Sequence, residues 1–393
     1  MLYRKILVVF WLVFLSGGVY AAPGQEPPPI YIGLDGEFGY TGSTSAEAIR
    51  QGILLALEEI NQQGVLGGRK LVLLEKANHS VPSRSLNNIR SFAKIPDVVA
   101  VYCGRFSPTV LEALPLIHAL GLPLLDPWAA ADAIIDHDFQ PNYTFRLSLR
   151  DSWAIPALLR EAEQRQHTRL GLLLLNTSWG RSSLAAAERY VAARPQMQLV
   201  ATHWFNWSDT SFREKYAALR SAGAEALVLV ANANEAAILL HEMAQLPKEA
   251  RLPLYSHWGI VGGDLAGMAG PALQAVELYV PQTFTFVENT KARAMQVLQA
   301  AQRLFQLAEP QYLPAQVGLA HAYDLTHILA LAIARAGSTE RGAIRQALEQ
   351  VGPYQGLIRY YEQPFQPTRH EALTEREVFV ARYVKANALM PVR

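Results

Sequence analysis

The chain carries a single cysteine, Cys103, among 393 residues. That excludes an intrachain disulfide and any zinc or iron–sulfur cage built on cysteine thiolates. An excess of charge is missing too: 35 Lys and Arg stand against 34 Asp and Glu, and charged residues make up only 18%. So even a balance gives no electrostatic reason to expect nucleic acid or an anionic membrane surface as partner. No G-x-G-x-x-G follows the first apolar run and no G-x-x-x-x-G-K-[ST] occurs, so dinucleotide and P-loop chemistry lose their main support. His241-Glu242 has no histidine four positions after the first, and there is no G-x-S-x-G elbow; zincin and hydrolase readings fall with them. His321 and His327 are six apart and do not share a helix face, so no metal site is expected. Half of the residues are apolar, which rules out disorder as the dominant state.

The beginning of the chain sets its destination. Arg4 and Lys5 precede an unbroken apolar run of ten, Ile6 to Leu15, and small residues recur through Gly17, Gly18 and Val19-Tyr20-Ala21. Residues 1–21 read as a signal peptide, cut after Ala21 or Ala22. Ten residues do not span a hydrocarbon core, which takes about 20, and no cysteine lies at the cut for a lipid anchor. An exported protein without a direct membrane anchor is expected. The apolar stretch Ala315 to Ala336 carries Gln316, His321, Asp324, Thr326 and His327 and reads as a buried or amphipathic helix.

From residue 30 onward apolar strand-like runs alternate with segments of helical spacing. Ile30 to Leu34, Leu71 to Leu74, Val98 to Tyr102, Pro123 to Leu125, Arg169 to Leu175, Leu227 to Val230 and Leu252 to Tyr255 read as strands. Ser45 to Gln62 reads as a helix on Ile49, Ile53, Leu54, Leu57 and Ile60, with Thr44 and Glu47 as a capping box and the turn GVLGG at its end. Strand–helix alternation with continuous apolar strands predicts an α/β protein of parallel sheets covered on both faces. The number of units and the strand-like pieces near the end (Leu357 to Tyr361, Val378 to Val384) favour two open sheets over one barrel. Cys103 ends a strand and reads as a packed thiol. In open parallel sheets the ligand crevice lies beyond the carboxyl ends of the strands, so the residues just after each strand are the candidates.

The opening IYIGLDGEFGYTGSTSAEAIRQGILLALEEINQQGVLGGRKLVLLE, the stretch VVAVYCGRFSPTVLEALPLIHALGLPLLDPWA, and then FRLSLRDSW, LGLLLLNTSWGRS and AHAYDLTHILALAI follow one another. In that order and spacing they resemble the periplasmic solute-binding proteins of the branched-chain amino acid type, the type I receptors of ABC transporters. The resemblance runs from about residue 30 to 385. It implies the type I periplasmic-binding-protein fold: two doubly wound parallel-sheet lobes joined by three crossover strands, 29–147 plus 283–352 and 148–282 plus 353–390. It further implies a ligand held between the lobes, hinge closure around it, a periplasmic location, a membrane permease as partner, a monomer, and neither cofactor nor enzymatic activity.

Cleft candidates come from both sources. Ser43, Thr44 and Ser45 sit at a predicted helix start, where free N–H groups suit an anion. Arg105, Phe106 and Ser107 follow the third strand; the resemblance gives Ser107 the ligand's carboxylate, and Arg105 is suited to an acidic ligand. Trp128, Ala129 and Ala130 form the next turn, with Ala130 where amino acid binders of the family carry a threonine. Asp151 matches the family's ammonium-binding aspartate, with helix capping as its alternative. Trp179 matches its aromatic position, Asn232 follows the strand ALVLV, and His257 and Trp258 stand where amino acid binders present a glutamate. With the threonine and glutamate replaced, a buried ammonium would lack partners, at a cost of several kcal/mol. The expected ligand is therefore an organic acid, amide or aromatic compound rather than an ordinary amino acid. The alternatives are a true branched-chain amino acid binder and a ligand-sensing module for a membrane kinase or chemoreceptor.

Overall fold

The computed structural model describes residues 27–40, 43–385 and 387–392; the expected signal peptide, 1–21, lies outside them. Two open sheets organise the chain. The first takes β1 (Ile30–Gly36), β2 (Leu71–Ala77), β3 (Val98–Cys103), β4 (Leu124–Asp126) and β5 (Thr144–Arg146), in the order β2-β1-β3-β4-β5. Every pairing in it is parallel. Its connections are α1 (Ser45–Gln63), α2 (Pro82–Ala93) and α3 (Ser107–Ala119).

The chain then crosses to the second sheet. There α4 (Asp151–Gln164) leads into β6 (Arg169–Leu175), α5 (Ser178–Ala192), β7 (Gln198–Phe205), α6 (Arg213–Ser221), β8 (Ala226–Val230), α7 (Ala233–Ala244), β9 (Leu254–Ser256), α8 (Leu265–Ala269) and β10 (Leu278–Gln282). It returns to the first sheet with α9 (Ala292–Phe305), α10 (Gln316–Ala336), α11 (Arg341–Leu348) and a two-stranded hairpin, β11 (Tyr354–Gln355) with β12 (Tyr360–Tyr361). A last crossing adds β13 (Phe379–Lys385) and β14 (Ala388–Pro391), giving the order β14-β13-β10-β9-β8-β6-β7. The two final strands are antiparallel, as suits a tail that closes a sheet edge without a crossover helix.

Local sequence explains these elements. The periodic residues Ile49, Ile53, Leu57 and Ile60 are buried along α1, and Gly64 ends the helix at φ 64° with its N–H on the Ile60 carbonyl, a left-handed cap that glycine adopts without strain. β6 is buried from 170 to 175, the signature of a central strand covered on both faces. The apolar helix α10 is buried over most of its length against α1, and its polar residues are partnered. His321 bonds the Pro127 carbonyl and Thr283 Oγ1, both at 2.8 Å. Asp324 accepts from the Leu357 and Ile358 amides and from Tyr361 Oη.

The sequence boundary at 353 needs correcting. The stretch 356–372 bonds to the first sheet and its helices: His370 Nδ1 meets the Thr144 carbonyl at 2.8 Å, and the Ala372 amide meets the Arg146 carbonyl at 2.9 Å. A fully buried ion pair, Arg146 with Glu371 at 2.5 and 3.0 Å, ties the same stretch to β5. The third crossing thus follows 372 instead of 352, because Asp324 and Arg146 lie too far along the chain for local pattern to reveal their partners. Of the predicted strand Leu357 to Tyr361, only Tyr360 and Tyr361 pair; β7 and β10 are strands that apolar runs alone did not mark.

Candidate ligand cleft

The carboxyl ends of β3 and β4 face those of β6, β8 and β9 across a cleft. Its pocket is narrow, lined by Arg105, Phe106, Ser107, Pro108, Trp128, Ala130, Thr177, Trp179, Trp207, Asn232, Trp258 and Gly259. Eight of the sequence candidates come together there: Arg105, Phe106, Ser107, Trp128, Ala130, Trp179, Asn232 and Trp258. Ser43, Thr44, Ser45, Ala129, Asp151 and His257 lie around the pocket without lining it.

The aromatic side chains close the space. Trp128 and Trp258 are fully buried and meet across the cleft with ring centroids 5.4 Å apart. Trp128 packs onto Gly318 of α10, where a methyl group would approach the ring to 2.6 Å. Phe106 holds its ring edge-on to Trp207 at 6.0 Å and carries the Arg105 guanidinium over its face at 4.6 Å. Asp126, at the end of β4, fixes the tryptophan turn by accepting the Trp128 amide at 2.9 Å and the Ala129 amide at 2.7 Å. Complete burial pushes its carboxyl up to about 6, against the opposing pull of Arg146 and the two amides. Asp126 was absent from the sequence candidates, although an aspartate bonding the amide two residues on is a turn signal.

The helix start at 43–45 departs from expectation. Thr44 makes no side-chain cap and its Oγ1 is buried without a partner. Its amide is spent on the Gly262 carbonyl across the cleft, at 2.9 Å, while Glu47 turns outward to Arg50 at 3.3 Å. The capping box is therefore not formed. The carboxylate at this helix end is the chain's own: Ser45 and Ser43 hydroxyls both donate to Glu37 Oε1, the latter at 3.3 Å, and Glu37 is buried.

Asp151 opens α4 but does not cap it; Asp132 Oδ1 takes the Ser152 amide at 3.2 Å instead. Asp151 Oδ1 receives the Trp179 indole N–H at 3.2 Å and the Ser183 hydroxyl at 3.3 Å. His257 Nε2 lies 3.0 Å away, within ion-pair distance but off the hydrogen-bonding direction. His257 Nδ1 accepts the Trp258 amide at 2.9 Å, which assigns the neutral ring's proton to Nε2, facing Asp151. Burial raises the Asp151 carboxyl above its ordinary value, with His257 opposing. This group sits behind the Trp179 ring. Asn232 is engaged as the cap of α7, with Glu235 completing a capping box. Ser107 Oγ accepts the Ala131 amide at 3.2 Å, leaving its hydroxyl proton for another acceptor.

Arg105 is different. It is 7% exposed and its Nε has no partner, while Nη1 donates to the Gly262 carbonyl. Burial lowers the guanidinium's pKa, and Glu37, Tyr40 and Glu235 work against that. Among the described residues no other charged side chain lines this pocket. Trp207 and Thr177 were missed as lining residues; each follows a strand, and Trp207 escaped because β7 was not read as one.

The profile of a family described as periplasmic binding protein matches residues 29–388. Among curated relatives, Leu/Ile/Val-binding protein homolog 7 of Brucella melitensis is 21% identical over 246 residues, covering 61% of this chain and 60% of that protein. The match thus spans about three fifths of the relative's length. Among solved structures, a periplasmic binding protein type 1 from Bordetella pertussis Tohama I superposes with a TM-score of 0.81 at 22% identity, over 93% of this chain and 100% of that one. The branched-chain amino acid transporter substrate-binding protein LivJ of Streptococcus pneumoniae, in complex with isoleucine, gives 0.75 at 18%, over 93% and 100%. An ABC transporter solute-binding protein of R. palustris, in complex with benzoate, gives 0.75 at 14%, over 93% and 95%.

Proposed function

The chain belongs to the periplasmic binding protein family, and we propose that it is an exported solute receptor that holds an organic acid, amide or aromatic compound between its two sheets and delivers it to an ABC transporter permease. The observation that carries this reading is the pocket's lining: five aromatic side chains around Arg105, whose buried Nε has no partner within the protein. A guanidinium gives directional N–H donors to a carboxylate or amide oxygen. Aromatic walls gain from a planar or apolar body. An α-ammonium finds less reception, because Ala130 offers no side-chain acceptor and Asp151 does not line the pocket: its Oδ1 takes Trp179 and Ser183, and its free Oδ2 stands behind the ring wall. Structural neighbours have been solved with isoleucine and with benzoate, and the aromatic lining here supports a ligand of the benzoate kind. No bond is broken in this role. Ligand bridges the two walls and favours the closed state, since only closure supplies both sets of contacts.

The test is thermal unfolding of the purified protein against aromatic and aliphatic acids, their amides, and the common amino acids. A ligand at about 100 times its dissociation constant adds roughly 2.7 kcal/mol, a visible rise in melting temperature. Aromatic acids or amides are expected to stabilise and leucine, isoleucine and valine are not. Stabilisation by the branched-chain amino acids alone would overturn the reading.

A further inference from the structure

We infer that Arg105 couples ligand capture to closure of the cleft: Nη1 clasps the Gly262 carbonyl on the opposite wall, and Nε of the same rigid guanidinium is kept for an acceptor oxygen of the ligand. The second half rests on the function proposed above; the clasp rests on geometry alone.

Three contacts from the first wall converge on one point of the second. The Thr44 amide donates to the Gly262 carbonyl at 2.9 Å, Arg105 Nη1 donates to the same oxygen, and Ser43 pairs with Gly263 as an isolated antiparallel bridge. Ser43 and Thr44 precede α1, Arg105 follows β3, and Gly262 and Gly263 follow β9. The contacts therefore join the two sheets across the mouth of the cleft and exist only when it is closed. Space dictates glycine at 262. Its backbone φ is not positive, so conformation does not demand glycine, but an added methyl group would fall on the guanidinium, 2.9 Å from Arg105 Cδ and 3.2 Å from Cζ.

The arrangement links two events through one side chain. Arg105 is flanked by Glu37 of its own wall and Glu235 of the opposite wall, and stacks on Phe106 at 4.6 Å. The Phe106 ring holds the plane of the guanidinium. An acceptor on Nε fixes that plane further and so aims Nη1 at Gly262. Closing onto Gly262 in turn holds Nε toward the pocket. The ordering of one long side chain then serves both contacts.

The test compares the ligand-free full-length protein with Arg105→Gln, Gly262→Ala and the double variant by small-angle scattering, with circular dichroism as the check of folding. Wild type is expected to scatter as the closed molecule. Each single variant is expected to raise the radius of gyration, and the double variant to raise it no further than the larger single effect, because both substitutions remove one contact. Calorimetric titration with 3-phenylpropanoate is expected to show affinity falling roughly tenfold or more in Arg105→Gln, the loss of a charge-assisted hydrogen bond. Gly262→Ala retains the guanidinium but displaces it, and is expected to lose less affinity than Arg105→Gln. Unchanged scattering in both single variants would overturn the clasp, and so would additive opening in the double variant. Normal scattering differences with no binding of any aromatic acid or amide by wild type would leave the clasp standing and overturn its link to the ligand.

Discussion

The two walls of the cleft carry similar residues and use them in opposite ways. On the first wall Arg105 and Glu37 are buried and Thr44 is half-buried, and each has a buried polar atom without a partner: Nε, Oε2 and Oγ1. On the second wall Trp179 and Ser183 donate to Asp151 Oδ1 behind the rings that face the pocket, with His257 Nε2 3.0 Å from the same oxygen, and the unpartnered atoms there, Asp151 Oδ2 and His257 Nε2, lie on that same pair. Residue type alone does not separate these cases. A serine-rich helix end and an aspartate at a strand exit both suggest ligand contact, yet the first holds Glu37 and the second holds an indole. What decides is where the donors on the neighbouring element point. In the function proposed above, the first wall, through Arg105, would read a head group and the second would supply shape.

That contrast can be broken by substitution. The largest expected effect is on shape. Trp128→Ala removes a fully buried ring and is expected to cost about 3–5 kcal/mol in denaturant unfolding, the range for deleting a large aromatic side chain. A cost below about 1 kcal/mol would mean that the cross-cleft packing with Trp258 is not formed in solution. Next is Asp151→Ala, which strands the Trp179 indole and the Ser183 hydroxyl. About 2–3 kcal/mol of stability is expected to go with buried donors left unpaired, whereas a ligand-binding aspartate would lose affinity with little stability.

Asp126 sharpens the comparison through pH. Burial lifts its carboxyl from 3.8 to about 6 in the folded protein. The folded state therefore keeps the proton longer, and this group's stabilisation is full below the unfolded value and lost as pH rises through the folded one. Asp126→Asn still accepts the Trp128 and Ala129 amides but does not titrate. Its stability relative to wild type is expected to rise by on the order of 2 kcal/mol between pH 4 and 7. A flat difference across that range would show that the carboxyl is not raised. The smallest effect belongs to Ser43→Ala. Its hydroxyl reaches Glu37 at 3.3 Å from a half-buried site, so a change within about 0.5 kcal/mol is expected, set against a marked loss for Arg105→Gln in ligand affinity.

Much of the architecture was legible. Apolar runs marked β1, β3, β6 and β8 because central strands are buried on both faces and carry little else. The rule that ligands sit beyond strand ends led to Arg105, Phe106 and Trp128, and the family resemblance pointed to Trp179 and Trp258. It missed Trp207 for a local reason: β7 is a half-buried edge strand, so its sequence lacks the continuous apolar run that marks the others. The capping box at Thr44 failed for a long-range reason. Its amide partner is Gly262, more than two hundred residues away, and a cap chosen by local rules cannot compete with a contact that forms only when the cleft closes. The misplaced crossing at 353 has the same origin. Asp324, Arg146 and Glu371 pin the stretch to the first sheet by buried charge and hydrogen bonds, none of which leaves a periodic trace.

The central claim is that the pocket receives an acceptor head group through Arg105 and has no place for an α-ammonium. It is tested most directly by calorimetric titration with matched pairs that differ only in that ammonium: 3-phenylpropanoate against phenylalanine, and 4-methylpentanoate against leucine. A buried ammonium short of partners costs several kcal/mol, so in each pair the acid without it is expected to bind a hundredfold or more tightly, roughly what about 3 kcal/mol gives. Tighter binding of phenylalanine or leucine than of its partner acid would contradict the account.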